Sequence, residues 1–130
     1  MVRMAALAGM ALVVTACIGV GDMFAPAKAL PAGFRLEEFE GKYYYLQRGD
    51  ILRPGGVLDG TIGQIGWNEH AIVAWRSPMR GRDQPGWMII NVGAGTIDGP
   101  LSNEEFHKRK ASDSQLQDIT VRPVREVFNR

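Results

Sequence analysis

This sequence of 130 residues has one cysteine, two histidines and a net charge of only +1. Cys17 is the single cysteine, so no internal disulfide can stabilise the fold. The two histidines, His70 and His107, belong to no metal-binding or catalytic sequence motif. Arg3 is the only charged residue before Cys17, and the fourteen basic and fourteen acidic residues that follow balance each other. A neutral domain has no electrostatic attraction for polyanions, which argues against nucleic-acid binding.

The apolar stretch at the start of the chain is too short for a membrane-spanning helix. It covers residues 5–16, whereas a spanning helix needs about 20 apolar residues. One basic residue precedes it and Cys17 follows it directly. A short basic start before such a stretch is typical of a secretory signal peptide. We therefore predict that the protein is exported and that residues 1–16 are its signal peptide.

The residues around the cysteine resemble the lipobox of bacterial lipoproteins. Val14, Thr15 and Ala16 supply the aliphatic residue and the two small residues that precede the cysteine in that family. The resemblance implies cleavage before Cys17, diacylglycerol on its thiol and an acyl chain such as palmitate on the new amino group. Several acyl chains hold a protein stably on a membrane. Because Ile18 replaces the aspartate that retains lipoproteins at the inner membrane, the resemblance implies an outer-membrane lipoprotein facing the periplasm.

A second cleavage site competes with this one. Residues 27–29, Ala-Lys-Ala, have the form of an ordinary signal-peptidase site, and cleavage there would release a soluble periplasmic chain beginning at Leu30. An uncleaved or cytoplasmic chain is the remaining alternative. Residues 17–33 contain glycines, prolines and alanines without periodicity, which predicts a tether between membrane and domain. Residues 34–130 are then predicted to form a single β-rich domain.

Alternating apolar and polar residues predict a series of short antiparallel strands after the tether. The predicted strands cover residues 42–47, 61–67, 70–76, 87–92, 96–98 and 119–124. Asn68 and Glu69 form a tight connection between the second and third of these. Pro123 limits the pairing of the last one, which makes it an edge strand.

The hydrophobic period changes after the strands, at Ser102. Ser102 and Glu105 have the spacing of a capping box, and Leu101 and Phe106 have the spacing of a hydrophobic staple. Acidic residues in the first turn and basic residues in the last turn complement the helix dipole. One C-terminal helix is therefore predicted. The fold class is α+β, with a small antiparallel β-meander sheet and the helix on one of its faces.

Three segments resemble a pattern in small uncharacterised bacterial lipoproteins. They are residues 65–75, residues 87–91 and residues 99–106, the last reading Gly-Pro-Leu-Ser-Asn-Glu-Glu-Phe. In that family two strands joined by a turn, a loop and a third strand precede a helix entry of the form GPL(S/T)xxEF. The resemblance implies a lipid-anchored single domain, and it brings no catalytic residues to transfer.

No set of catalytic residues stands out in the sequence. Glu69 and His70 lie at a predicted hairpin and would form an acid–base pair only if Asp98 or Asn91 came beside them. No nucleophile accompanies them. His107 lies on the exposed side of a charged helix, as solvated residues do. The chain is therefore predicted to be non-enzymatic, with no cofactor and no metal ion.

The candidate binding face combines aromatic and basic residues. Trp67, Trp75 and Trp87 fall in the three central strands. Packing in the core or across strands is the common role of such residues, whereas tryptophan on a surface marks a binding site. Arg80 and Arg82 lie in the loop before the third of these strands. Such residues are most often part of a solvated turn, and in a functional role they would touch lipid phosphates.

These observations favour a membrane-anchored envelope lipoprotein, held by acylated Cys17, with a small non-catalytic binding domain. Its partner would be another envelope protein or a secreted protein. An immunity protein or inhibitor that blocks a toxin or a hydrolase is one concrete version. The alternatives are a structural envelope lipoprotein without a discrete ligand, a soluble periplasmic protein and a small periplasmic enzyme.

Overall fold

The computed structural model describes residues 27–49, 56–58, 60–78 and 84–128 of the chain, and the predicted signal peptide lies outside them. Its strands are β1 (Ala27–Ala29), β2 (Phe34–Phe39), β3 (Tyr43–Arg48), β4 (Thr61–Trp67), β5 (Ala71–Ser77), β6 (Gly86–Asn91), β7 (Ile97–Leu101) and β8 (Arg122–Pro123). Its helices are α1 (Asn103–Ser112) and α2 (Val124–Phe128), and a short 3₁₀ turn covers Pro31–Gly33. This composition confirms the predicted α+β class.

The strands form two antiparallel sheets. The small sheet has the order β1-β2-β3, and the large sheet has the order β7-β6-β5-β4-β8. Consecutive strands β4 to β7 pair as neighbours, which is the predicted meander. The small sheet and the pairing of β8 with β4 enlarge that meander into a two-sheet structure.

Strands β5 and β6 bury side chains on both faces of the large sheet. On one face Ala74 lies between Ile65 of β4 and Met88 of β6, and all three pack against the small sheet. On the other face Val73 and Ile89 are cross-strand partners and pack against α1 and the segment after it. The domain therefore has three layers: the small sheet, the large sheet and a layer formed by α1 with residues 113–121.

The two sheets meet along one side and stay apart along the other. Between β3 and β4, the backbone N–H of Tyr44 donates to Oγ1 of Thr61 at 3.1 Å. Beside it, the N–H of Val57 donates to the carbonyl oxygen of Leu46 at 2.6 Å. On the opposite side lie β1 and β8, each paired with one strand only within the described part of the chain. The structure is thus a sandwich that is open between β1 and β8.

The folded domain begins earlier than the predicted boundary at residue 34. Strand β1 pairs with β2, with Lys28 opposite Leu36. Leu30 is 8% exposed and belongs to the core, and its N–H donates to the carbonyl oxygen of Phe34 at 2.9 Å. Residues 27–33 therefore belong to the domain and not to the predicted tether. Their own residues carry no strand periodicity, and β1 exists because β2 offers it an edge.

Helix α1 begins as the sequence predicts. The N–H of Glu105 donates to Oγ of Ser102 at 3.1 Å, and the N–H of Ser102 donates to Oε1 of Glu105 at 3.4 Å. Phe106 is 1% exposed, and Leu101 packs against the same cluster. The capping box and the buried aromatic residue together fix the helix against the large sheet.

The end of the chain differs from the predicted edge strand at 119–124. Strand β8 has only two residues, Arg122 and Pro123, because proline offers no N–H for further pairing. Ile119 is buried in the layer of α1, on the other face of the large sheet. Helix α2 follows at once, and its Val124 and Val127 pack into the core between the sheets. A second short helix thus joins the single helix that was predicted.

Replacing the capping serine tests this account of helix α1. We expect Ser102→Ala to lower the free energy of unfolding by about 1 kcal/mol, because the N–H of Glu105 loses its acceptor. Ser114→Ala, an exposed serine in the turn after the helix, is the matched control and should change little. Urea denaturation followed by circular dichroism measures both values. Equal effects of the two substitutions would contradict a stabilising cap.

A tyrosine on the outer face of the small sheet makes stability depend on alkaline pH. Burial raises the pKa of Tyr45 above its ordinary value of 10.0, and hydrogen bonding and charge repulsion from Glu37 raise it further. The folded state therefore favours the protonated phenol. This contribution is fully present below pH 10.0 and is lost as the pH rises through the raised pKa.

We expect Tyr45→Phe to weaken the decline of the free energy of unfolding above pH 10.0. The variant has no phenol to ionise, so this part of the decline disappears. Tyr43→Phe, on the same strand, is the control and should retain the decline of the wild type. Denaturant titrations at a series of alkaline pH values measure how the free energy of unfolding changes with pH. An equal decline in wild type and Tyr45→Phe would show that ionisation of Tyr45 does not affect stability.

Candidate functional site

The structure divides the predicted binding face between the two sides of the large sheet. Trp67 lies opposite Ile72 and packs against the cluster between the sheets. Trp75 and Trp87 lie opposite each other and pack against the cluster under α1. The three tryptophans therefore do not form one surface. The other predicted members, Arg80 and Arg82, lie outside the described residues, as does the predicted lipidation site Cys17.

Trp87 belongs to the core and not to an exposed face. Its side chain is 5% exposed, and its ring stacks on Phe106 at 4.2 Å between centroids and 12° between planes. The indole N–H donates to Oδ1 of Asn103 at 2.8 Å. Trp75 is half-buried and meets Trp87 edge to face at 5.6 Å. These two residues hold α1 on the sheet, so the prediction of a binding role for Trp87 is wrong.

A cleft of about 330 Å³ opens where the two sheets stay apart. Its lining comes from β1, β4, β8, α2 and the segment before β8: Lys28, Ile65, Trp67, Asp118, Thr120, Arg122 and Val127. Ile65 and Val127 are buried, whereas Trp67 and the two cations are half-buried. A concave site with an apolar floor and a few converging polar groups is the usual form of a ligand site. This cleft is the candidate functional site.

Backbone pairing brings most of the cleft residues together. Arg122 lies directly opposite Ile65 in the β8–β4 ladder, and Lys28 stands on the edge strand of the other sheet. A Cβ atom at Gly66 would come within 2.6 Å of the carbonyl oxygen of Thr120. The absence of a side chain at Gly66 therefore lets the segment that carries Thr120 cross β4 closely.

A single asparagine fixes the rim of the cleft. Nδ2 of Asn68 donates to Oδ1 of Asp118 and to the carbonyl oxygen of Gln115, both at 2.7 Å. Oδ1 of Asn68 accepts hydrogen bonds from the N–H groups of His70 and Ala71, at 2.8 and 2.9 Å. The β4–β5 turn and the segment before β8 are thereby joined through one side chain.

The charges around the cleft favour an anionic group. Lys28 and Arg122 contribute two cations, and neither forms an ion pair with any other residue that the structure describes. Among the described residues of the lining, the one carboxylate is that of Asp118, and it is already held by Asn68. A ligand with a carboxylate or phosphate beside an apolar portion would match both the rim and the floor.

A second groove lies between α1 and the large sheet. It encloses about 510 Å³ but is more open, and its lining includes Trp87, Asn103, Phe106 and Lys110. Two of its four polar side chains serve the fold: Asn103 accepts from Trp87, and Nζ of Lys110 donates to the carbonyl oxygen of Gln117 at 3.0 Å. The other two are Gln64 and His107.

The fold separates Asp98 from the Glu69–His70 pair, whereas Asn91 lies next to His70 in the β5–β6 ladder but serves its own turn. Nε2 of His70 lies 3.4 Å from Oε1 of Glu69 in an exposed turn. Asp98 instead pairs with Arg109, with 2.7 Å between Nη2 and Oδ2. Asp98 lies on β7, whereas His70 immediately precedes Ala71, the first residue of β5. Strand β6 lies between these two strands, so they are two strand spacings, or about 10 Å, apart. Asn91 uses its Oδ1 to accept from the N–H of Ala94 at 2.9 Å.

Among the residues that the structure describes, no three side chains of histidine, cysteine, aspartate or glutamate lie close enough to hold a metal ion together. None of the helices in this part of the chain combines the length and hydrophobicity needed to cross a membrane.

Comparison with protein families, curated proteins and solved structures gives no match to this chain. The assignment of function therefore depends on the sequence and on the geometry of the cleft.

Sequence reasoning found only Trp67 among the residues of the cleft. Lys28 and Arg122 are 94 positions apart in sequence, and they share one cavity because β1 and β8 are the facing edges of two different sheets. Arg122 precedes Pro123 in the predicted edge strand, which was the one local signal for a residue beside an opening. Nothing local marks Lys28.

Replacing Trp87 and Trp67 separately by alanine tests which of the two belongs to the core and which to the cleft. We expect Trp87→Ala to lower the free energy of unfolding by about 3–5 kcal/mol, because it leaves a cavity under α1 and an unpaired Asn103. Trp67→Ala should cost less, since its side chain is only half-buried at the cleft. Urea denaturation of the two variants gives the comparison. A larger loss for Trp67→Ala would contradict the assignment of Trp87 to the core.

Proposed function

We propose that this protein is an exported lipoprotein of the bacterial envelope, acylated on Cys17, whose domain is a non-catalytic binding module. The position of the competing cleavage site carries the proposal. Residues Ala27–Ala29, which have the form of that site, are strand β1 of the small sheet. Cleavage after Ala29 would remove the whole strand from the mature protein.

The new terminus would also be unfavourable. Cleavage after Ala29 would leave a charged amino group on Leu30, whose side chain is in the core and whose N–H pairs with Phe34. Placing a charge next to a buried residue costs free energy. Cleavage before Cys17 avoids both losses, because β1 then stays in the mature chain. The structure of the sheet therefore supports the lipoprotein site over the soluble alternative.

The spacing between cysteine and domain suits an anchor. Cys17 precedes Ala27 by ten residues, which span at most about 33–36 Å when fully extended. Attached acyl chains would keep the domain close to the membrane surface, on the periplasmic side of the outer membrane. Two or more chains make such an attachment stable.

The cleft supports a binding role for the anchored domain. Its two cations and apolar floor suit an anionic side chain or a chain terminus of another envelope or secreted protein. An immunity protein or inhibitor would use such a site to hold its target. Asp98 forms an ion pair with Arg109, and Asn91 accepts a hydrogen bond within its own turn, so neither completes an acid–base pair with His70. This supports a domain that binds without catalysing a reaction.

Intact mass and membrane partition of the protein from a bacterial host test the proposal. We expect the wild type to begin at Cys17, to carry acyl mass and to fractionate with membranes. Cys17→Ser should lose the acyl mass and the membrane association, because it removes the thiol that is modified. The matched control is Ala29→Val, which destroys the small residue of the competing site and keeps a residue that suits a strand.

The control separates the two cleavage routes. The proposal expects Ala29→Val to have the same terminus and the same acyl mass as the wild type. An unacylated wild-type protein that begins at Leu30, and that is no longer processed in Ala29→Val, would overturn the proposal and make the protein a soluble periplasmic one.

A further inference from the structure

Two aromatic side chains stand in solvent at one end of the small sheet. Phe39 is 53% exposed and Tyr43 is 37% exposed, and their ring centroids lie 6.5 Å apart. They flank the turn between β2 and β3, which is closed by a hydrogen bond from the N–H of Lys42 to the carbonyl oxygen of Phe39 at 3.2 Å. Among the described residues, the only other large apolar side chain so exposed is Ile97, on β7. Phe39 and Tyr43 are called the aromatic tip below.

The aromatic tip lies at the end of the sheet where the chain enters it. Ala27, the first residue of β1, pairs with Glu37, which is two residues before Phe39. Two residues of a strand span about 7 Å. Antiparallel register also places Ala27 and the aromatic tip on the same face, since Glu37 pairs with Tyr45 and Phe39 pairs with Tyr43. Strand β1 runs antiparallel to β2, so its amino end, which connects to Cys17 in the sequence, faces the aromatic tip.

The length of the connection restricts what this end of the domain can face. Nine residues lie between Cys17 and Ala27, and this length of chain spans at most about 33–36 Å when fully extended. The opposite end of the sheet lies near Gly95, where an added Cβ would be 2.8 Å from Nη1 of Arg48. By register, Ala27 lies two residues from the aromatic tip and three from the end of the sheet at Arg48, so the connection to Cys17 starts nearer to the tip.

We propose that Phe39 and Tyr43 contact the lipid–water interface of the membrane to which Cys17 is anchored. This inference rests on the proposed lipoprotein function. Aromatic side chains favour the head-group region, where the ring is partly shielded and a phenol stays hydrated. The acyl chains provide the affinity, and the aromatic tip fixes the orientation of the domain on the surface.

The charges at the tip define which lipids the contact needs. Glu38, Glu40 and Lys42 lie in or beside the turn, so the tip carries an excess of negative charge. Glu37 is compensated by Arg35 at 3.4 Å. Such a tip gains nothing from anionic lipids, which attract basic segments. The contact should therefore form on zwitterionic membranes and depend little on salt.

Fluorescent labels on the full-length acylated protein test this contact. Lys42→Cys places a thiol at the aromatic tip, and Ala94→Cys places one in the β6–β7 turn as the matched control. Both positions are exposed, and the native cysteine is blocked by its lipid. The labelled proteins are incorporated into vesicles of phosphatidylcholine and phosphatidylethanolamine that contain a head-group nitroxide quencher. We expect the label at position 42 to be quenched several-fold more strongly than the label at position 94.

A double substitution, Phe39→Ser with Tyr43→Ser, shows whether the aromatic rings are responsible. In the Lys42→Cys protein it should reduce quenching to the level of position 94 while vesicle binding through the acyl chains persists. Circular dichroism of the same sample confirms that the domain is folded.

The readouts separate the inference from the proposal beneath it. Acyl mass and vesicle binding are measured first, and their absence overturns both. Acylated, vesicle-bound protein with equal quenching at positions 42 and 94 overturns the inference alone. A label at position 42 that is shielded from water but not quenched by the lipid would indicate that a protein covers the aromatic tip, and it would also overturn the inference.

Discussion

Strands β5 and β6 bury side chains on both faces of the large sheet, and a sheet of this kind needs a cover on each side. The small sheet covers one face through residues such as Leu36 and Leu46, and α1 covers the other through Phe106. The rest of the architecture depends on this requirement. The cleft exists because the small sheet meets β4 along one side only and stays apart from β8 on the other.

Local patterns were sufficient for the central strands and the first helix. Strand β4 was predicted with its observed bounds, since glycine and asparagine bracket an alternating segment. The start of α1 was predicted because Ser102 and Glu105 need only each other to form the capping box. The alternation also gave the faces of β5 and β6, but not of β4, where a bulge between Ile62 and Gln64 places Ile62 and Ile65 in the same cluster. It could not show that Trp67 and Trp75 point to opposite sides, since that depends on the register between β4 and β5.

The elements that sequence reasoning missed are those that a distant partner creates. Ala27–Ala29 has little strand propensity of its own and becomes β1 by pairing with β2. Val124 continues into a helix because Pro123 ends the pairing of β8 and the space between the sheets accepts apolar side chains. Lys28 and Arg122 share the cleft for the same reason. These long-range effects change the position of the domain boundary and thereby the interpretation of the cleavage sites.

The central claim is that β1 is an integral part of the domain. Hydrogen exchange tests this most directly in two chains, one beginning at Ile18 and one at Leu30. The account predicts that the chain beginning at Leu30 loses amide protection along the β1-facing edge of β2 and unfolds at a lower temperature. Equal protection of β2 and equal unfolding temperatures in the two chains would contradict it.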